Sequence, residues 1–247
     1  MTSWKAYSGC DIGRVRVENQ DSVVTEGFGD GVFALVCDGM GGMQNGSAAS
    51  HIAIETAQAR FSADYREDMD ADAVCDLLRV IAFDANQAVY RAALLGAVPS
   101  RMGTTLVGAF VREGTASIVN VGDSRCYLIP AEGTIRQLTT DHTVVQLLYE
   151  QGVITAEERA THIRRNELMR AIGVALRVQP DTQTVPLQPG DRLLLCSDGL
   201  YGMVPEDRLE ALVREHTPQE LPEKAIAAAN ENGGRDNISV VLIAPET

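Results

Sequence analysis

Four aspartates stand where an apolar run of this chain meets more open sequence. "FALVCD" ends in Asp38, "SIVNVGD" in Asp123 and "RLLLCSD" in Asp198, and "DNISVVLI" begins with Asp236. An ionised carboxylate held where a buried strand emerges costs several kcal/mol in lost hydration unless a cation offsets it. Arg125 and Arg235 are the nearby basic candidates, too few for four acids. A single aspartate at a strand end is ordinarily a turn former, and Asp30, before Gly31, reads that way. Four of them point to a shared cation site. Oxygen donors, in a chain with only four histidines and no CxxC or HExxH pattern, select Mg²⁺, Mn²⁺ or Ca²⁺ over zinc.

The stretch after Asp38, "GMGGMQNG", is almost bare of side chains. Glycine there lets a main-chain carbonyl reach a metal and lets a bulky substrate approach. A nucleotide cradle is the competing use of such a loop. The third glycine of GxGxxG falls on Gln44, however, and no phosphate-loop lysine motif occurs. Cys37, Cys126 and Cys196 sit inside apolar runs and read as small buried strand residues rather than nucleophiles.

These residues need strands to carry them. Segments 4–12, 21–26, 31–38, 104–113, 115–122, 124–130, 183–188, 191–197 and 237–244 are short, rich in β-branched and apolar residues, and bounded by Gly, Asp, Pro or Asn. Residues 115–130 read as a hairpin turned at Gly122–Asp123. Helical spacing runs through 71–95, on Val74, Leu77, Leu78, Ile81, Ala85, Val89 and Ala92, and more weakly through 46–61. "TPQE" at 217–220 reads as a capped helix start. Residues 143–172 carry no strand signal. Strands in runs, rather than in alternation with helices, predict antiparallel sheets covered by helices, an α+β fold in one domain over 1–247.

The chain has 247 residues and a formal net charge of −13. That balance excludes nucleic acid as a partner, since binding it rests on Lys and Arg at phosphates. No apolar run is long enough to span a membrane, and the N-terminal residues lack a secretory pattern, so the cytoplasm is the expected compartment.

"RVENQDS" (16–22), "VCDGMGG" (36–42), "MGTTL" (102–106), "VGDSR" (121–125), "LTTDHT" (138–143), "SDGL" (197–200) and "GGRDNISVV" (233–241) occur in that order. Together they resemble the metal-dependent protein phosphatases of the 2C type in their bacterial form, over nearly the whole chain. The resemblance implies a four-layer α-β-β-α sandwich with a dinuclear metal site at one end, and hydrolysis of phosphoserine and phosphothreonine in proteins. It implies that Asp38 bridges two Mn²⁺ or Mg²⁺ ions, that the Gly39 carbonyl binds one, and that Asp198 and Asp236 bind the other. Asp123 with Asp198 matches a third, weaker ion site. Spacing does not separate Arg14 from Arg16; the resemblance selects Arg16 as the residue that grips the substrate phosphate. Residues 144–170 match a variable flap. A Ser/Thr protein kinase acting on the same phosphorylated proteins is the implied opposing partner.

Several positions depart from the family pattern. Met40 stands where eukaryotic relatives carry a histidine proposed as general acid, Gln20 replaces a glutamate, and Met43 and Ser47 replace a histidine and a glutamate common in bacterial relatives. None removes an implied metal ligand. Two other readings remain for the same residues: a non-catalytic module that binds phosphoproteins, and a hydrolase of small phosphate esters. His142 reads as a structural hydrogen-bonding residue at a sheet end, and His51 as a structural residue of the first helix.

Overall fold

The computed structural model describes residues 3–42, 45–95 and 102–246. The strands are β1 (Trp4–Asp11), β2 (Asp21–Phe28), β3 (Gly31–Gly41), β4 (Met102–Thr104), β5 (Leu106–Arg112), β6 (Thr115–Val121), β7 (Arg125–Ile129), β8 (Arg136–Gln137), β9 (Asp181–Pro186), β10 (Arg192–Cys196) and β11 (Ile238–Pro245). The helices are α1 (Asn45–Asp64), α2 (Ala71–Leu95), α3 (Val144–Glu150), α4 (Ala156–Thr161), α5 (Asp198–Tyr201), α6 (Glu206–Glu215) and α7 (Leu221–Glu231). One sheet has the order β1-β11-β10-β7-β8 and the other β2-β3-β5-β6-β9, with β4 added on β3. Every registered pair is antiparallel.

Period-two alternation explains the layering. Along β3, Phe33, Leu35 and Cys37 face α1 and α2, while Val32, Ala34 and Val36 face the other sheet. Along β10, Leu193 and Leu195 enter the layer between the sheets, while Leu194 and Cys196 meet α6 and α7. Strands buried on both faces read as unbroken apolar runs. The result is helices, sheet, sheet, helices. Burying one such Leu, Val or Phe contributes about 1.5–3 kcal/mol, and Phe33 stacks on Phe61 of α1 with ring centroids 4.2 Å apart.

The predicted hairpin over 115–130 does not form. Both edges of β6 are occupied, by β5 and β9, and β7 pairs with β10 and β8 in the opposite sheet. At Gly122 the chain crosses from one sheet to the other with φ of 108°. A Cβ there would meet Thr105 Cγ2 at 2.7 Å, so only glycine makes the crossing. The crossing delivers Asp123 to the end of the sandwich. The helix expected at "TPQE" begins later, at Leu221; the reciprocal bonds of Thr217 and Glu220 brace the turn leading into it. Among the described residues no helix is long and apolar enough to cross a membrane.

Candidate metal centre

Each aspartate reaches one end of the sandwich on a different element. After Val36, β3 leaves β5 and runs on beside β4, so the strand continues past Asp38 rather than ending there. Asp38 N–H donates to Thr105 Oγ1 at 2.9 Å, and its carbonyl accepts from Thr105 N–H and Thr104 Oγ1, each at 2.9 Å. The main chain is thereby fixed, and Asp38 lines the cavity at the end of the sandwich. Gly39 is wedged against its neighbours: a Cβ would sit 2.2 Å from the Gly46 carbonyl oxygen and 2.4 Å from that of Gln20. This close approach is the reason for glycine after Asp38.

Asp198 opens α5, and Asp236 lies just before β11. Asn237 ties Asp236 to the loop that carries Arg16. Its side chain donates to the carbonyls of Ile12 and Glu18 at 2.9 and 3.0 Å and accepts from Gln20 N–H at 2.9 Å. Arg16 Nη2 donates to Asp236 Oδ2 at 2.6 Å. Arg14 is held through its backbone N–H on the Gly234 carbonyl. A single cavity of about 760 Å³ is lined by Arg16, Asp38, Gly39, Asp123, Asp198 and Asp236, all the residues expected to meet.

Of the arginines expected to offset the acids, Arg125 is bound to Asp141 at 2.7 Å and Arg235 is exposed. Burial, and then the charges of Asp21, Asp198, Asp123 and Asp236, push the Asp38 carboxyl well above its usual range. Burial first and neighbouring carboxylates after it raise Asp123 to about 7 and Asp198 to about 6. Asp21, opposite Asp38 in the β2–β3 register, is raised by burial to about 7, although Ser197 Oγ donates to its Oδ2 at 2.8 Å. Asp198 Oδ1 and Asp21 Oδ1 are buried oxygens without a donor. Among the described residues no three Asp, Glu, His or Cys side chains already close into a finished cage. What the residues provide is a set of buried, mutually repelling carboxylates, two of them with an oxygen that lacks a donor, and oxygen donors of this kind suit hard divalent cations.

Tyr201 carries no signal in the sequence. Its hydroxyl donates to the Asp123 carbonyl at 3.0 Å, and Arg125 stacks on its ring at 3.7 Å. One side chain on the α5 turn that begins with Asp198 thus holds the Asp123 crossing. Tyr201→Phe keeps the stacking and removes the bond, worth about 1 kcal/mol. The expected melting temperature falls by about 3 °C; an unchanged value rejects the tether. His142 plays the structural role read from sequence, accepting from Gly122 N–H at 3.1 Å with Asp181 at 3.0 Å on its other nitrogen. His51 is exposed on α1, beside Glu55.

The family model described as protein phosphatase 2C matches residues 14–231. The chain belongs to the protein phosphatase 2C family. The serine/threonine phosphatase stp of Listeria welshimeri is 40% identical over 237 residues, which cover 94% of this chain and 92% of that protein. The crystal structure of the serine/threonine phosphatase Stp1 from Staphylococcus aureus superposes with a TM-score of 0.92 at 34% identity, over 100% of this chain and 96% of that one. The catalytic domain of the serine/threonine protein phosphatase PstP, in complex with two manganese ions, gives 0.85 at 30% identity over 100% of both chains. Of the departures from the 2C pattern, Met40 and Gln20 line the cavity. Ser47 Oγ donates to Glu18 Oε1 at 2.6 Å. Met43 lies outside the described residues.

Proposed function

We propose that this chain is a metal-dependent protein serine/threonine phosphatase, one catalytic domain from end to end. The observation that carries the reading is the meeting of four sequence-distant carboxylates and one arginine in a single cavity. In this reading Asp38, the Gly39 carbonyl, Asp198 and Asp236 hold two Mn²⁺ or Mg²⁺ ions, and Asp123 with Asp198 holds a third. Cations bound here supply a water acidic enough to act as a nucleophile near neutral pH.

The remaining steps belong to the chain's own residues. Arg16 commits Nη2 to Asp236 and keeps further guanidinium donors for the phosphate oxygens. Asp236 thereby orients the group that offsets charge accumulating on the phosphoryl oxygens. The thioether of Met40 has no proton to give, so Met40 is not the donor to the departing serine or threonine alkoxide. Phosphorylated proteins are the substrates, a cytoplasmic Ser/Thr kinase the opposing enzyme. The names of the relatives support the phosphatase half of that pairing; the kinase is the class of enzyme that must make such substrates. Phosphoproteomes of cells lacking the chain, compared with cells carrying an inactive variant, test it: overlapping sites with no common kinase signature count against it.

With Mn²⁺ and a phosphothreonine peptide, the purified protein releases phosphate. Arg16→Ala lowers kcat/KM about a hundredfold, the loss expected for a charge-assisted pair of about 2–3 kcal/mol. A protein that binds the peptide and releases nothing is instead a non-catalytic reader of phosphoproteins.

A further inference from the structure

The cavity does not stop at the carboxylates. It continues onto a wall formed by Met40, Leu168, Met169, Val174, Ala175 and Val178. Met169 and Val174 are 54% and 61% exposed. Single exposed apolar side chains are ordinary; these are gathered beside the charged groups of one cavity.

The wall is built rather than loose. Ile172 exchanges both backbone hydrogen bonds with Thr104 of β4, at 2.8 and 3.0 Å, and Met169 N–H donates to the His142 carbonyl at 2.8 Å. Asn86, fully buried on α2, commits its amide to the same segment. Its Oδ1 accepts from Gly173 N–H at 2.8 Å, and its Nδ2 donates to the Ala175 carbonyl at 3.0 Å. A buried amide is costly unless bonded, and here its bonds fix the backbone of a loop whose apolar side chains are left outside.

We propose that this wall is a subsite for an apolar side chain flanking the phosphorylated residue of the substrate, an inference that rests on the phosphatase reading above. A phosphoryl group reaching Arg16 and the aspartates brings its neighbouring residues onto whatever adjoins them in the same cavity. The volume lies in the range that encloses a drug-sized molecule, so it accommodates more than the phosphoryl group. Arg177 lines the same wall. Of the other charged residues on this side of the cavity, Glu167 is paired with Arg164 and Arg170 with Asp181, so the charge of Arg177 is the one that opposes a lysine or arginine at the flanking position. The occupant is therefore a phosphopeptide with Leu, Ile, Val or Met beside the phosphothreonine.

The test uses the full chain with Mn²⁺ and two phosphothreonine peptides that differ only in flanking leucine or flanking lysine. The wild type favours the leucine peptide by about tenfold in kcat/KM, with the difference carried by KM. In Met169→Asp/Val174→Asp the preference falls to within twofold. Its kcat/KM on the leucine peptide, relative to that on p-nitrophenyl phosphate, falls by about the same tenfold. Val174→Ser, a milder change at an exposed position, moves both ratios in the same direction. A wild type indifferent to the flanking residue, or a double variant that keeps the preference, overturns the subsite. Absence of phosphate release from either peptide and from p-nitrophenyl phosphate instead overturns the phosphatase reading itself.

Discussion

Asp38→Asn lowers kcat/KM on p-nitrophenyl phosphate by about a thousandfold and raises the melting temperature of the metal-free protein. Both effects follow from one carboxylate. In the proposed function Asp38 would be one of the residues holding the cations, and its loss would remove part of a stabilisation worth several kcal/mol in the transition state. Without cations, burial first and the charges of Asp21, Asp198, Asp123 and Asp236 after it hold its carboxyl well above the usual range, so folding near neutral pH either buries its charge or takes up a proton. The amide keeps the shape and removes the charge, and relieving an unpaired buried charge is stabilising. Activity within tenfold of the wild type, or a metal-free variant that melts below the wild type, would sink this account of the site.

Stripping the metal with EDTA abolishes hydrolysis and makes stability depend on pH in an unusual direction. Asp21 and Asp123 are raised to about 7 and Asp198 to about 6, against an ordinary carboxyl value of 3.8. Between about pH 4 and 7 the folded chain keeps protons that the unfolded chain has lost, so stability declines as pH rises through that window. His142, lowered by burial, acts the other way below its ordinary value of 6.5, one group against several. Asp11 and Asp181, both lowered, exert their effect as pH falls below about 4, outside the window. Each tenfold difference in proton affinity between the folded and unfolded chain corresponds to about 1.4 kcal/mol. These carboxyls share one field and add only in part, so a few kcal/mol is expected, about 10 °C in a chain of this size. Scanning calorimetry in EDTA at pH 5 and at pH 7.5 measures it, and Mn²⁺ at pH 7.5 restores the loss by binding the folded state alone. Melting that is flat or rises with pH in EDTA contradicts the repulsion inferred for these carboxylates.

Much of this is legible in the sequence because it is local. Unbroken apolar runs along β3, β10 and β11, helical spacing over 71–95 and glycine after Asp38 are each set by near neighbours. The hairpin expected at Gly122–Asp123 fails because two strands and a glycine between them look alike whether the chain turns back or crosses to another sheet. Competition from β5, β9 and β10 decides the matter, and β9 and β10 are remote in sequence. Helix α6 is absent from the sequence reading, although Leu209, Leu212 and Val213 show helical spacing behind an acidic first turn. Asn237 and Asn86 have no local signature, since an asparagine announces nothing about carbonyls more than eighty residues away. Asp21 stands in a recognisable motif, but its repulsion with Asp38 comes from cross-strand register.

The pairing of β1 with β11 bears on biosynthesis. The first of the described strands waits for the last of them, and the Arg16 loop between β1 and β2 is braced by Asn237, just before β11. A ribosome-bound chain that has already emerged past Asp38, Asp123 and Asp198 therefore still lacks both its fourth acid and a seated arginine. In the proposed function, a polypeptide that has not yet added β11 would remove no phosphate.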